Sequence, residues 1–263
     1  MGLMVINRIV WTVYSVCILM HNRKRLMLNV SASGTMIALD LIMIAYSLWV
    51  VGLGSRGDGS ATGQLLLGAG VALLIWLGAL HIGISSELLF PVNVGGPAFF
   101  VLVLLAVAGV GALLLGVPFL RKRVLALSQE QLMLLQGIRV FFGATFLMQG
   151  ALGQLPQAFA ILDGFTHVSA GFFGLIAAFS LAGKVSGNRR AWFANIFGLA
   201  DILVVASTLA FILLPQIGPH HSMMYAVFLP APLWLWFHLI SIWKLLNSED
   251  ENAVASMQVN AQG

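Results

Sequence analysis

The chain has 263 residues, of which 60% are hydrophobic and only 8% are charged, and its mean hydropathy is +0.97. Because soluble domains carry about 25% charged residues, this composition excludes a soluble globular protein and predicts an integral membrane protein, with the lipid bilayer as its partner. The formal net charge of +4 does not indicate a nucleic-acid partner, since the lysines and arginines cluster in short loops between apolar runs. A single cysteine, Cys17, excludes an intrachain disulfide and a cysteine-based zinc site.

Four apolar runs of about 20 residues, the length that crosses a hydrocarbon core of ~30 Å, fill the N-terminal half. The first run, residues 1–20, precedes the basic cluster 21–25. A cleaved signal peptide has the opposite order, so an uncleaved helix that spans the membrane or lies in its interface is predicted. The next runs are residues 30–54 with Asp40, residues 65–84 with His81, and the uncharged residues 96–117.

Four further runs fill the C-terminal half, at residues 132–150, 164–183, 191–214 and 223–246. Between the first two, Leu155-Pro156 ends a helix and leaves a segment too short to span, so a broken or re-entrant segment is predicted near residues 155–163. The predicted fold is an all-α bundle of about seven or eight transmembrane helices, which forms a single integral membrane domain over residues 1–246. The polar composition of residues 247–263 predicts a disordered tail.

The basic loops predict the orientation of the bundle. Residues 121–123 and 184–190 are separated by two spans, so both loops and the C-terminus are expected in the cytoplasm. Three spans separate the cluster 21–25 from residues 121–123, which leaves two arrangements open. Either the first cluster lies outside and eight spans cross the membrane, or one early segment does not cross; eight spans are preferred.

Three ionisable side chains lie inside three different spans of the C-terminal half. With a rise of 1.5 Å per residue, Arg139, Asp201 and His238 lie ~10, ~15 and ~12 Å from the cytoplasmic ends of their runs. They are therefore predicted to form one buried polar layer for binding or relay, together with Gln136 and Asn195. A charge at membrane depth costs roughly 2.5–3.5 kcal/mol on insertion scales and is functional by default. The alternative is an Arg139–Asp201 ion pair that only holds the bundle together.

Helical spacing places further residues beside these groups. Trp234 and Ser241 share one face of the last span with His238. On the sixth span a stripe of small residues surrounds one histidine and predicts close helix packing; it consists of Gly164, His167, Gly171, Gly174 and Ala178.

A second polar layer is predicted near the opposite membrane face, from His81, Glu87, Asp163, His167, His220 and His221. These side chains are ligand types for zinc and similar metals, yet none of them has the spacing of a known metal motif. A haem needs two histidines that face one another, and the candidates His81, His167 and His238 lie at different depths. No cofactor is therefore predicted.

A sequence pattern runs through the C-terminal half as Q-x-x-R, LP-x-x-FA and N-x-x-G-x-x-D, carried by Gln136, Arg139, Leu155, Pro156, Phe159, Ala160, Asn195, Gly198 and Asp201. With the closing segment 228–238, this pattern resembles a family of uncharacterised bacterial polytopic membrane proteins over roughly residues 125–246. The chain departs from the pattern at His167, where an aspartate is expected. The resemblance implies a multi-pass protein of the inner membrane and brings no assigned activity.

Three classes of function remain open. A small-molecule or proton-coupled carrier would use Arg139, Asp201 and His238 as a binding or relay layer beside the broken segment. A membrane-embedded redox protein or enzyme would use its histidines as metal or haem ligands, and in a structural accessory protein the polar centre would only fix the packing. The missing metal and haem spacing favours the carrier over an enzyme, with an unknown small molecule or ion as partner. A homo-oligomer is a further expectation left open.

Overall fold

The computed structural model describes residues 32–53, 59–86, 90–91, 93–183 and 187–262, and only the backbone of residues 59–62 and 248–262. Within these ranges every regular element is a helix. Seven helical segments are long and apolar enough to cross a membrane: Ala32–Leu53, Gly63–Ser85, Gly96–Gly116, Gln129–Ala151, Gln157–Ala182, Gly187–Ile217 and Met223–Asn247. These segments confirm the predicted all-α transmembrane bundle, while the first predicted run and Glu87 lie outside the described residues.

The helices are numbered in chain order. They are α1 (Ala32–Leu53), α2 (Gly59–Ser85), α3 (Gly96–Gly116), α4 (Pro118–Ala126), α5 (Gln129–Leu134), α6 (Arg139–Ala151), α7 (Gln157–Ala182), α8 (Gly187–Thr208), a π-helix (Leu209–Leu213), α9 (Leu214–Ile217), α10 (Met223–Phe228) and α11 (Pro230–Gln262). The helix α11 therefore continues beyond Asn247 into the segment whose composition predicts disorder.

The fourth spanning segment is interrupted just before Arg139. A capping box at Ser128 and Gln131 starts α5, and the chain then tightens into turns over residues 135–138. In these turns the backbone N–H of Gly137 bonds the carbonyl of Leu134 at 2.8 Å, and the N–H of Arg139 bonds the carbonyl of Gln136 at 3.1 Å. Such three-residue spacing is that of a 3₁₀-helix, which inside a longer helix often marks a functional position.

Glycines bring α6 and α7 into direct backbone contact. A Cβ atom added at Gly143 would lie 2.4 Å from the carbonyl oxygen of Gly164, and one at Gly171 would lie 2.7 Å from the backbone nitrogen of Val140. These positions hold glycine because no larger residue fits between the two backbones. The packing role predicted for the small-residue stripe on the sixth span is thereby confirmed.

The broken segment expected near residues 155–163 is shorter than the sequence suggests. The chain turns over residues 152–156, where Gly153 adopts a left-handed φ of 68° and Pro156 caps the next helix. Residues 157–163 are then the first turns of the continuous helix α7, not a separate half-helix. The reason is that proline fits before the first turn of a helix, where its missing N–H has no partner to lose.

A π-helix interrupts the spanning segment Gly187–Ile217 at Leu209–Leu213. Pro215 has no N–H to offer the carbonyl of Phe211, and the N–H of Leu214 bonds the carbonyl of Leu209. This spacing leaves the carbonyl of Ala210 directed at α3, where a Cβ atom on Gly96 would lie 2.5 Å from it. The break thus lets α3 approach the segment Gly187–Ile217 closely, and π-helical turns are frequent at functional sites.

Candidate functional site

Arg139 joins three helices at the centre of the bundle. Its Nη2 atom is paired with Oδ2 of Asp201 on α8, and its Nη1 atom lies 3.0 Å from Nε2 of His238 on α11. All three side chains are buried. The structure therefore brings together the three ionisable groups that the sequence places in one layer.

The hydrogen bonds beyond Arg139 have a defined direction. A guanidinium only donates, so Nε2 of His238 accepts and its Nδ1 atom carries the proton. That Nδ1–H group donates to Oδ1 of Asn195 at 2.9 Å, and the Asn195 amide donates to the hydroxyl of Ser241 at 2.6 Å. His238 is therefore a neutral link between the arginine and the amide. Gln129 also donates to Ser241, so the chain of hydrogen bonds ends at the start of α5.

Close packing fixes the position of Arg139 and His238. The guanidinium carbon lies 5.2 Å from the centre of the Trp234 ring, a cation–π contact. On α8, a Cβ atom added at Gly198 would lie 2.3 Å from Nε2 of His238. Gln136 donates to the backbone carbonyl of Trp234 at 3.4 Å, and its side-chain oxygen has no hydrogen-bond partner among the described residues.

Asp163 and His167 of α7 belong to the same centre. The Nδ1 atom of His167 lies 2.9 Å from Oδ1 of Asp163 and 3.2 Å from Oδ2 of Asp201. The predicted division into two layers is therefore wrong for these two residues. Because α7 begins at Gln157, Asp163 lies ~9 Å and His167 ~15 Å along the helix from its N-terminal end. Neither residue therefore lies at that end.

A cavity of about 70 Å³ adjoins this centre. Asp163 and His167 line one part of it, and the remaining lining is apolar and comes mainly from α3, α8 and α11. The carboxylate of Asp163 is fully buried and accepts no hydrogen bond within the described part of the chain, since the contact with His167 has the distance but not the angle of one. The site therefore pairs an apolar space with an unsatisfied carboxylate.

The centre also contains a set of metal-ligand types. Among the described residues, Asp163, His167 and Asp201 each offer one ligand atom, and these atoms lie within 4.8 Å of one another. However, Oδ2 of Asp201 is already paired with Arg139. A metal ion held there would face a fixed guanidinium charge at close range, so this donor set fits a proton better than a divalent cation.

Two other ionisable groups predicted or noted from the sequence lie apart from this network. Nδ1 of His81 is 2.7 Å from the hydroxyl of Tyr225 on α10, near the end of the bundle opposite the basic loops. Asp40 of α1 is fully buried, and neither carboxylate oxygen has a hydrogen-bond partner among the described residues.

Sequence reasoning missed Gln129, at the far end of the network. Gln129 stands beside the capping residue Ser128, and nothing in its sequence context distinguishes it from an ordinary polar residue in the first turn of a helix. For Ser241 the signal was its helical spacing from His238. The cavity had no sequence signal, because its lining side chains are of the same types as the lipid-facing ones.

A family model described as "Domain of unknown function (DUF8737)" matches residues 97–246, more than half of the chain. The chain belongs to this family. The DUF8737 segment begins in α3 and ends in α11, so it contains the polar network and the cavity but neither Asp40 nor His81. Comparisons with curated proteins and with solved structures give no match.

Proposed function

We propose that this protein is a proton-coupled carrier of a small molecule, with Asp163 and His167 as its proton-binding pair. The observation that carries the proposal is that His167 lies between two buried carboxylates at the edge of a cavity. A buried pair of this kind marks proton relays and substrate paths in membrane proteins. The hydrogen bonds among Arg139, His238 and Asn195 hold the side chains next to this pair in fixed positions.

Charge balance explains how the pair would couple a proton to a ligand. Arg139 compensates Asp201, so Asp163 and His167 are neutral together when one proton is bound to either of them. Loss of that proton leaves a net negative charge in a site of low dielectric constant, which is costly unless another positive charge enters. Proton release and binding of a positive ligand would therefore favour one another.

Solute-dependent proton movement tests this proposal. Purified protein is reconstituted into liposomes that contain a pH-sensitive dye, and soluble and lipid-soluble amines, acids, sugars and inorganic cations are added in turn. At least one class should change the internal pH with the wild type and with Thr145→Ala, whose side chain bonds only its own helix. Asp163→Asn should abolish the change.

A second measurement makes a negative result informative. Infrared difference spectra recorded over an acid-to-alkaline pH series should show a carboxyl group that changes protonation in the wild type and is missing in Asp163→Asn. If no solute class moves protons and no such carboxyl band is found, the carrier proposal is wrong. A stoichiometric bound metal in the purified protein, lost in His167→Gln, would instead favour a membrane-embedded metalloprotein.

We further infer that the protein lies in the inner membrane of a bacterial cell, with its C-terminus in the cytoplasm. The support is the charge of the segments between helices: Arg121, Lys122, Arg123, Arg189 and Arg190 lie at one end of the bundle. The loops 152–156 and 218–222 at the other end, where α2 also ends and α3 begins, contain no lysine or arginine, and neither does the sequence that links α2 to α3. In a Cys17→Ala background, a cysteine at Gly218 should react with an impermeant maleimide in intact cells. Cysteines within residues 184–190 should react only after lysis, and the reverse pattern would overturn this orientation.

A further inference from the structure

We infer that the transported substrate is a lipid-soluble primary amine, which enters the cavity sideways from the bilayer between α3 and α8. The inference rests on the proposed carrier function and assigns its substrate class. Three features of the described cavity carry it: the place where it opens, the polar group at its inner end, and its size.

The cavity opens toward lipid. Leu104 of α3 and Leu203 of α8 both line it, and they are 51% and 58% exposed on the outer surface of the bundle. Both residues lie well inside apolar spanning segments, so hydrocarbon chains surround them in a bilayer. A substrate that dissolves only in water would have to cross that hydrocarbon to reach the opening, whereas a substrate with an apolar chain already resides there.

The inner end of the cavity selects a positive, hydrogen-bond-donating head group. Asp163 lines the cavity, is completely buried, and accepts no hydrogen bond within the described residues. An ammonium group supplies donors for these oxygens and, once the proton of the Asp163–His167 pair has left, the positive charge that the pair then lacks. A carboxylate or phosphate head would instead meet the like charges of Asp163 and Asp201. The opposing cation, Arg139, is already paired with Asp201.

The volume limits the head group to a small one. A cavity of about 150 Å³ holds a benzene molecule, and this cavity has about half that volume. It therefore accommodates a primary ammonium on a linear chain but not an aromatic ring. A quaternary ammonium is larger than a primary one and has no N–H donor. The geometry therefore favours a primary ammonium over an aromatic and over a quaternary head group. The remaining chain would extend through the opening into the bilayer.

Exchange with one proton follows from the charge balance. The ammonium takes the place of the one proton that the Asp163–His167 pair binds, and that proton leaves as the amine binds. The net charge of the site is the same before and after the exchange. Bound substrate and bound proton thus exclude one another, which is the requirement for antiport.

Photolabelling in proteoliposomes tests the substrate class. The probes are a long-chain primary amine with a diazirine in its chain, and the matching carboxylic acid and alcohol. The amine should label α3 near residues 100–107 and α8 near residues 202–208, and excess unlabelled dodecylamine should compete. Asp163→Asn should reduce this labelling about tenfold or more, equivalent to at least about 1.4 kcal/mol. Labelling by the acid that equals that by the amine would contradict the inference.

A second variant tests the opening without altering the polar centre. Leu203→Trp should narrow the mouth and reduce amine labelling several-fold. Ile196→Trp is the matched control, because Ile196 lies on the same helix and is 60% exposed but does not line the cavity. Equal labelling of the two tryptophan variants would show that the substrate does not enter between α3 and α8.

The same liposomes separate failure of this inference from failure of the carrier proposal. Proton movement driven by a water-soluble solute, without labelling or proton movement by the long-chain amine, would refute the substrate class and leave the carrier intact. Amine labelling that depends on Asp163 but moves no proton would refute the carrier and leave a binding site. Labelling that Asp163→Asn does not reduce would refute the site itself.

Discussion

At the scale of single residues, the polar groups in the centre of the bundle satisfy one another rather than water. Arg139 donates hydrogen bonds to Asp201 and to His238, and His238 in turn donates one to Asn195. A buried charge is stable in such a place only while its partners remain, since removing one partner leaves the other unpaired. The network is therefore sensitive to single substitutions and more tolerant of paired ones.

The Arg139–Asp201 pair gives the first prediction. Arg139→Leu or Asp201→Leu alone should destabilise the protein by on the order of 3–5 kcal/mol, because each leaves an unpaired buried charge. The double variant should lose clearly less than the sum of the two. Recovery should remain incomplete, because His238 then lacks its donor and His167 keeps only Asp163.

Thermal unfolding in detergent measures these effects, with the folded fraction read by size-exclusion chromatography. Arg139→Leu combined with Thr145→Ala is the control, since Thr145 lies on the same helix but bonds only the carbonyl of Phe141. That combination should be additive. Additive losses for Arg139→Leu with Asp201→Leu would show that the two residues do not stabilise one another.

Asp40 gives a second prediction at this scale. The Asp40 carboxylate accepts no hydrogen bond from the part of the chain that the structure describes, and such a buried group costs roughly 1–3 kcal/mol by protein mutational data. Asp40→Leu should therefore raise the unfolding temperature. Asp40→Asn retains the unsatisfied polar atoms and should gain less. A lower unfolding temperature for Asp40→Leu would show that the carboxyl group has a stabilising partner after all.

At the scale of helices, hydropathy predicted the spans and their order, because each span needs about 20 apolar residues whatever its neighbours are. Depths estimated from the helical rise per residue likewise placed Arg139, Asp201 and His238 in one layer of the bundle. The same estimate failed for Asp163 and His167, because the start of α7 was assigned after the proline turn instead of at it. Helix ends depend on caps and turns, which a hydropathy pattern does not record.

The contact between α6 and α7 gives the third prediction. Gly143→Ala should destabilise the protein by about 1–3 kcal/mol, because the new methyl group would lie 2.4 Å from a backbone carbonyl that has no rotamer to change. Gly78→Ala on α2 is the matched control, with no atom within 4 Å of its added Cβ. We expect its unfolding temperature to stay equal to that of the wild type or to rise slightly. Equal values for the two variants would argue against tight α6–α7 packing.

At the scale of the whole molecule, two histidines connect the loops at the end of the bundle opposite the basic loops. His220 donates from Nε2 to the carbonyl of Phe90 at 2.8 Å, and His221 donates from Nε2 to the carbonyl of Gln154 at 3.0 Å. The loop 218–222 is thereby tied both to the turn before α3 and to the turn between α6 and α7. These links close the end of the bundle at which α7, the helix of Asp163, begins.

The state of His221 makes this closure dependent on pH. Its Nδ1 atom accepts from the backbone N–H of Met223 at 3.1 Å while its Nε2 atom donates to Gln154, so both ring nitrogens are satisfied only when the ring is neutral. Burial lowers the pKa of His221, and the hydrogen bond to the Gln154 carbonyl offsets this only in part. A second proton would remove the acceptor that Met223 uses.

The last prediction is a loss of stability in mild acid that His221 causes. The unfolded chain binds a proton at His221 with a pKa of about 6.5, and the folded chain binds it more weakly. The stability that neutral His221 gives the folded protein is therefore fully present above about pH 6.5. It is lost as the pH falls below that value, where the unfolded state binds more protons. Unfolding temperatures in detergent at pH 5 to 8 should fall less steeply with acid for His221→Gln than for the wild type, although the variant is less stable at pH 8. Thr145→Ala, which changes no ionisable group, should follow the wild-type slope, and equal slopes for His221→Gln and the wild type would show that another group carries the acid sensitivity.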